Sequence, residues 1–199
     1  MDFSKSTTRE NLMRAFAGES QARTRYTLAA AQAKREGLYV IDCIFRYTAE
    51  QELEHAEIFY GHLSEAAGET VHIDGGYPVD IADGTAKLLR MAQHNEYEEH
   101  DDVYKSFAEC AADEGFQKIA ASFSMIGEIE RVHGNRFGRF ADFLESGKLF
   151  VSDVKTSWIC LNCGNVIEAA AAPSMCPVCS AERGYFVRLE LSPFEGVCK

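Results

Sequence analysis

The sequence predicts a mostly α-helical protein, a four-helix bundle followed by a small domain of short strands stapled by cysteines. Three observations predict it. Residues 8–146 divide into four long segments of helix-forming composition with Gly at their breaks. Two of those segments carry the same E-x-x-H spacing. Past Gly147 short apolar pieces alternate with Gly, Pro and Asn turns and include two Cys-x-x-Cys pairs.

The helical segments are 8–36, 39–67, 82–114 and 116–146. KREG ends the first at Gly37, with basic residues in the last turn and Gly at the cap. EAAGE ends the second near Gly68, DEG the third near Gly115 and ESG the fourth near Gly147. None of these helices is stable alone in water, and four of similar length imply mutual packing. The stretch HIDGGYPVD at 72–80 lies in the connection between the second and third helices, about 14 residues and long enough to run along the outside of a bundle. The tail has strand-like pieces at Trp158-Ile159, Val166-Ile167 and Tyr185-Phe186-Val187. A domain of this size cannot bury a sufficient core and needs a staple. The domain boundaries are placed at 1–148 and 153–199.

The formal net charge of -11 disfavours nucleic acid and anionic membranes as partners, and no Lys/Arg cluster offsets it. Residues 151–199 carry four Lys/Arg and five Asp/Glu, so the acidity lies in the helical part. No apolar run approaches a membrane span, and the N-terminus MDFSKSTTRENLMRAF has no secretory core, so the expected location is cytoplasmic.

The carboxylates of the helices are patterned. Glu52 and His55 form one E-x-x-H, and Glu130 and His133 the other. Residues three apart share a helix face, so each pair can reach one point. Glu19 precedes Glu52 by 33 residues and Glu96 precedes Glu130 by 34; the offsets between the halves are 77 and 78. The bundle therefore reads as two related helix pairs, each offering a Glu and an E-x-x-H. That is the ligand pattern of di-iron and di-manganese carboxylate bundles. Four carboxylates would offset the repulsion of two close cations, and oxygen and imidazole donors suit iron. Phe16, Phe59, Phe123 and Phe137 would exclude water. Buried together without metal, the carboxylates would be prohibitively costly.

Glu99, one turn after Glu96, is a further candidate, and the first pair has no carboxylate at that offset. Tyr26 is seven residues after Glu19 and Tyr104 eight after Glu96; both are read as inward, with hydroxyls either near the metals or bonded elsewhere. His94, Glu98, His100, Glu54, Glu57, Asp101, Asp102, Asp113, Glu114 and Glu128 are assigned to solvated faces.

Cys160, Cys163, Cys176 and Cys179 form C-x2-C and C-x2-C pairs, a strong signal for one tetrahedral four-sulfur site. Gly164 and Pro177 suit turns whose N–H groups point at sulfur. Spacing alone does not separate zinc from iron; the acidic chain and a redox-capable partner site favour iron. A zinc-stapled interaction protein and an iron-storing shell are the competing classes. Cys43 and Cys110 are read as small buried hydrophobes, and Cys198 as a terminal thiol.

Along nearly its whole length the chain resembles the rubrerythrins. The helical part carries FAGESQARTRY, AEQELEHAEIF, EYEEHDDVYKSFAECAADEGF and EIERVHGNRF, and the tail, WICLNCGNVIEAAAAPSMCPVC, resembles rubredoxin. The resemblance implies a ferritin-like di-iron bundle with a C-terminal rubredoxin-like domain, and three Fe per chain. It implies Glu19, Glu52, His55, Glu96, Glu99, Glu130 and His133 as di-iron ligands, with Glu52 and Glu130 bridging. It further implies Cys160, Cys163, Cys176 and Cys179 as ligands of the third iron, and Tyr26 and Tyr104 as hydroxyls bonding near the centre. One iron would move between Glu99 and His55 as its oxidation state changes. The implied activity is reduction of hydrogen peroxide to water, a peroxidase role in oxidative stress defence. Electrons would come from NAD(P)H through a donor protein, a rubredoxin or its reductase. Homodimers are implied, with the four-cysteine iron of one subunit near the di-iron site of the other.

Overall fold

The structure, a computed structural model, describes residues 1–192. Its helical part comprises α1 (Thr7–Arg35), α2 (Tyr39–His62), α3 (Thr85–Glu98), a π-helical segment (Glu99–Val103), α4 (Tyr104–Asp113) and α5 (Gln117–Glu145). The expected third helix is thus interrupted by a π segment, and it starts at Thr85 rather than 82. The second ends at His62, with a 3-10 turn over Ser64–Ala66 before Gly68.

Two related hairpins account for this. α1 packs on α2, and α3 with α4 packs on α5. Each hairpin turns through a positive-φ glycine, Gly37 (72°) and Gly115 (91°), where a side chain would be strained. The residues that follow, Leu38 and Phe116, share nearly the same backbone angles. Helix starts are capped across the hairpins. The Thr7 and Thr8 amides donate to the Glu114 carboxylate at 2.9 and 2.8 Å, and the Thr85 amide donates to Glu36 at 3.1 Å. Each glutamate thereby satisfies N–H groups that a helix start leaves unpaired. Glu114 is consequently half-buried and structural, not merely solvated as expected.

Between α2 and α3 the chain crosses the bundle as a strap, residues 67–84. Arg14 clips it through Asp74 at 2.7 Å, Tyr77 Oη donates to the Arg14 carbonyl at 3.1 Å, and Arg25 pairs with Asp80. Asn95 donates a further bond to Asp80 at 2.8 Å.

Apolar side chains form two separate clusters inside the helices. One holds Tyr26, Phe45, Leu89 and Phe137, the other Leu12, Phe59, Tyr104 and Phe123. The E-x-x-H residues occupy the layer between them. Cys43 is exposed and Cys110 half-buried, contrary to expectation. The inward stripe of α2 runs through Ile41, Phe45, Thr48 and Glu52, and Cys43 lies off it. Cys198 lies outside the described residues.

The tail forms a three-stranded antiparallel sheet in the order β2-β1-β3, from β1 (Val151–Cys160), β2 (Val166–Ala171) and β3 (Phe186–Arg188). Trp158, opposite Ile167 and Arg188, is fully buried and donates its indole N–H to the Ala169 carbonyl at 3.0 Å. The sheet lies against the helices. Ile159 and Val187 belong to the same apolar cluster as Val40 and Ile41, and Tyr185 stacks on Tyr39 with centroids 4.0 Å apart. Gly184 permits this contact, because a Cβ there would sit 1.8 Å from the Gly37 carbonyl oxygen.

Candidate metal centres

Four helices converge on one buried polar layer. Glu19, Glu52, His55 and Glu130 place donor atoms within 4.8 Å of one another, and so do Glu52, Glu96, Glu130 and His133. All six residues are buried. The two groups share Glu52 and Glu130 and are related as the hairpins are.

The sharing is resolved to single atoms. His55 Nδ1 lies 2.9 Å from Glu130 Oε1, 3.1 Å from Glu52 Oε2 and 3.8 Å from Glu19 Oε2. His133 Nδ1 lies 2.8 Å from Glu130 Oε2, 3.1 Å from Glu52 Oε1 and 3.7 Å from Glu96 Oε2. Each central glutamate therefore turns one oxygen toward each histidine, and each outer glutamate serves one side. Beyond them, Tyr104 Oη donates to Glu19 and Tyr26 Oη donates to Glu96, each hydroxyl crossing to the other half.

Several of these atoms are close without being bonded. Glu19 Oε2, Glu52 Oε1, Glu96 Oε2, both oxygens of Glu130 and both ring nitrogens of His133 have no hydrogen bond of acceptable geometry. Buried polar atoms left in this way cost free energy. Aimed at a shared cation on each side, they are satisfied together, so the residues present fit a pair of metal ions. Oxygen and imidazole donors suit iron among other divalent metals.

The electrostatics agree. Burial disfavours charge on Glu19, Glu96, Glu130, His55 and His133. It pushes the Glu19 carboxyl up to about 8, helped by Glu130, and raises Glu96 well above the carboxylate range. At His133 burial is outweighed by Glu130, Glu52 and Glu96, and the ring is pushed up to about 12. At Glu130 burial is likewise outweighed, by His133 and His55, and the carboxyl is held at about 2. Positive charge is what this layer lacks.

Glu99 is not drawn into either group. It opens the π segment and is part-exposed at the wall of a cavity of about 560 Å³ beneath the strap, which Tyr104 also lines. Burial of its carboxyl, then the charges of Glu19, Glu96, Glu130 and Glu52, raise it well above the carboxylate range. His94, Glu98, Asp101 and Asp102 are exposed as expected, whereas His100 is half-buried between Asp101 and Glu128. Phe59, Phe123 and Phe137 are fully buried around the layer; Phe16 is only partly so and packs on Tyr60.

In the tail, Cys160, Cys163, Cys176 and Cys179 bring their sulfurs within 4.8 Å of one another. The Cys160–Cys179 and Cys163–Cys176 separations are 3.8 and 3.7 Å. A disulfide would be about 2 Å. The edge of a tetrahedron with metal–sulfur bonds of about 2.3 Å is about 3.8 Å, so the sulfurs fit one tetrahedral ion. Two matching turns deliver them. Gly164 (φ 76°) and Ser180 (φ 60°) each follow the second cysteine of a pair. Amides point at sulfur in both turns: Asn162 and Cys163 toward Cys160, Val178 and Cys179 toward Cys176. The Asn162 side chain donates to Cys179 at 3.3 Å and leads the effects that lower this thiol to about 6. Ser180 was not singled out from the sequence; its place after a Cys-x-x-Cys, matching Gly164, was the available signal.

Comparison with known proteins places these centres. The chain matches the family profile described as Rubrerythrin over residues 10–141 and that of the rubrerythrin rubredoxin-like domain over 158–187. It is 46% identical over 180 residues to a rubrerythrin of Clostridium perfringens, covering 90% of this chain and 92% of that one. To a rubrerythrin of Nitratidesulfovibrio vulgaris it is 39% identical over 188 residues, covering 94% and 96%. Among solved structures, partially reduced nigerythrin superimposes with a TM-score of 0.63 at 26% identity, covering 94% of this chain and 93% of the other. A Desulfovibrio desulfuricans bacterioferritin shares the fold, with a TM-score of 0.64 at 20% identity over 71% of this chain and 81% of that one.

Proposed function

This chain belongs to the rubrerythrin family, with a di-iron carboxylate centre and an Fe(Cys)4 centre, and from that premise we propose that it is a peroxidase reducing hydrogen peroxide to water. Electrons would come from a NAD(P)H-dependent system through a donor protein, a rubredoxin or its reductase, and the iron that Cys160, Cys163, Cys176 and Cys179 would hold supplies one-electron relay chemistry. The observation that carries the reading is the splitting of the Glu52 and Glu130 oxygens between two equivalent sides. Glu52 and Glu130 would thus hold a pair of ions between them, with one oxygen of each carboxylate offered to each side.

In this reading Glu52 and Glu130 would bridge, Glu19 and His55 would complete one side, Glu96 and His133 the other, and Cys160, Cys163, Cys176 and Cys179 would hold the third iron. Bound and reduced, the iron pair supplies two electrons, the number needed to cleave one O–O bond, and Lewis acidity toward its oxygens. The chain supplies the rest. Tyr104 and Tyr26 fix the outer carboxylates by donating to Glu19 and Glu96. Buried phenylalanines keep bulk water from the layer. Glu99, at the cavity wall beside the layer, is placed to pass a proton to a departing oxygen, and is the reserve ligand.

The reading includes a cytoplasmic homodimer. No described helix is long and apolar enough to cross a membrane. Within one chain the sheet touches α2 at Tyr39, thirteen residues before Glu52. That is about 20 Å along the helix axis. In this reading the four-cysteine iron that serves the layer would be that of a second subunit.

The test is peroxide consumption by iron-loaded protein with a reduced donor. Cys160→Ser is expected to abolish donor-linked turnover, while protein reduced in advance is still oxidised by peroxide. Full donor-linked turnover by Cys160→Ser removes the relay; absence of peroxide consumption by the native protein removes the peroxidase.

A further inference from the structure

The cavity beneath the strap is far larger than the peroxidase reading requires. It measures about 560 Å³. A water occupies roughly 30 Å³ and hydrogen peroxide is only slightly larger, whereas small-molecule pockets span about 300–1,000 Å³ and are mostly apolar. Its apolar wall is made by Ala15, Tyr77, Pro78, Val103 and Phe107. Its inner end is Glu99 and Tyr104, the latter bonded to Glu19 of the metal layer. The strap that roofs it is held by the Arg14–Asp74 and Arg25–Asp80 pairs and by the Tyr77 hydroxyl, so the volume is built into the fold.

We propose that this cavity admits neutral alkyl and aryl hydroperoxides as a second substrate class, the organic group lying along the strap and the O–O end reaching Glu99. The inference rests on the peroxidase reading and extends it. The charge of the mouth selects the class. Glu98 and Asp102 line it against one cation, Arg14, and that guanidinium is already taken by Asp74 and Glu10. A hydroperoxide bearing its own carboxylate is repelled there, while a neutral one gains from burying its hydrocarbon. The reaction balances as ROOH plus two electrons and two protons giving ROH and H2O. The O–O bond breaks, each oxygen takes one proton, and both electrons come from the reduced donor protein of the proposed peroxidase.

Two rim substitutions obstruct the cavity without touching the metal layer. Ser106 is exposed at its edge, and a Cβ at Gly76 meets nothing within 4 Å. With iron-loaded native protein and reduced donor, cumene hydroperoxide is expected to be turned over to 2-phenylpropan-2-ol, and a fatty-acid hydroperoxide more slowly. In Ser106→Trp and Gly76→Phe, kcat/KM for cumene hydroperoxide is expected to fall about tenfold or more while that for hydrogen peroxide stays within about twofold. Equilibrium dialysis supplies a readout independent of turnover: 2-phenylpropan-2-ol should bind the native holoprotein saturably and the two variants more weakly. Turnover of hydrogen peroxide without cumene hydroperoxide, or rim variants that leave cumene hydroperoxide and alcohol binding unchanged, overturns the inference alone. A native protein inert toward hydrogen peroxide overturns the peroxidase reading, and dialysis then still decides whether the cavity takes the organic group. Preference for the carboxylate-bearing hydroperoxide overturns the assignment to neutral compounds.

Discussion

Glu99 lies beside a layer of six other acids and histidines yet faces a different environment. Its neighbours on the inner side are the carboxylates that raise its pKa, and its outer side is the cavity. Glu99→Gln keeps the shape and removes the ionisable proton. Peroxide turnover is expected to fall about 100-fold with a flattened pH profile, while iron content, measured per chain, stays near native. Native turnover with a native pH profile would remove Glu99 from proton transfer. At this scale much was legible. Glu52 with His55 and Glu130 with His133 announce themselves because i, i+3 spacing on a helix is a local property. The place of Glu99 outside both groups was not legible, because it depends on a change of helix type. Nor was the exposure of Cys43, which follows from where the inward stripe of α2 runs.

The element that moves Glu99 is the π segment, which amounts to one inserted residue. The insertion is written in the repeat. Glu19 to Glu96 is 77 residues, but Tyr26 to Tyr104 and Glu36 to Glu114 are 78. The step from 77 to 78 falls between Glu96 and Tyr104, where the segment lies. The offsets were visible in the sequence, but a one-residue difference between distant positions carries no local signal of a bulge. Deleting Asp102, an exposed member, should restore continuous α-helix and turn α4 by about 100° relative to α3. Tyr104 then no longer reaches Glu19. Iron analysis should show loss of the two bundle ions with the visible absorption of the ferric four-sulfur site retained; a fully iron-loaded deletion variant would show the bulge to be dispensable. The caps are a second element-scale device. Burial opposes ionisation of Glu114, but the Thr8 and Thr7 donors outweigh it and hold its pKa below the usual value. An acid whose pKa is lowered by folding stabilises the fold above its unfolded pKa and loses that contribution as pH falls through the folded one. Glu114→Gln should therefore cost about 1 kcal/mol at pH 7, and its Tm deficit should shrink as pH drops below about 4.5. A deficit that persists unchanged into acid would mean that the charge is not what caps α1.

Across the whole molecule, the metal layer divides the helical interior into two apolar clusters. The four-helix class was legible because helix length and Gly breaks are local, and the sulfur site because its spacing is. The seating of the sheet on the bundle was not, since the meeting of Gly184 with Gly37, and of Tyr185 with Tyr39, joins positions nearly 150 residues apart. The division of the core makes stability depend on what fills the layer. Tertiary packing holds these helices, yet between the clusters the layer offers four buried glutamates and two histidines whose atoms largely lack hydrogen bonds. With cations bound, those charges are matched; without them, protons must take their place and the unbonded atoms remain. Any ion binding only the folded state adds stability, about 2.7 kcal/mol when present at 100 times its Kd. Removing iron under reducing conditions should therefore lower the Tm of the helical part, followed by helical circular dichroism, and restoring ferrous iron should recover it. The tail gives the internal control. Cys160→Ser should release its own ion and loosen the sheet while leaving the helical transition of the iron-loaded bundle in place. If chelation left the helical transition unmoved, the convergence of Glu19, Glu52, Glu96 and Glu130 would have to be held by packing alone, and the two-ion assignment would fail.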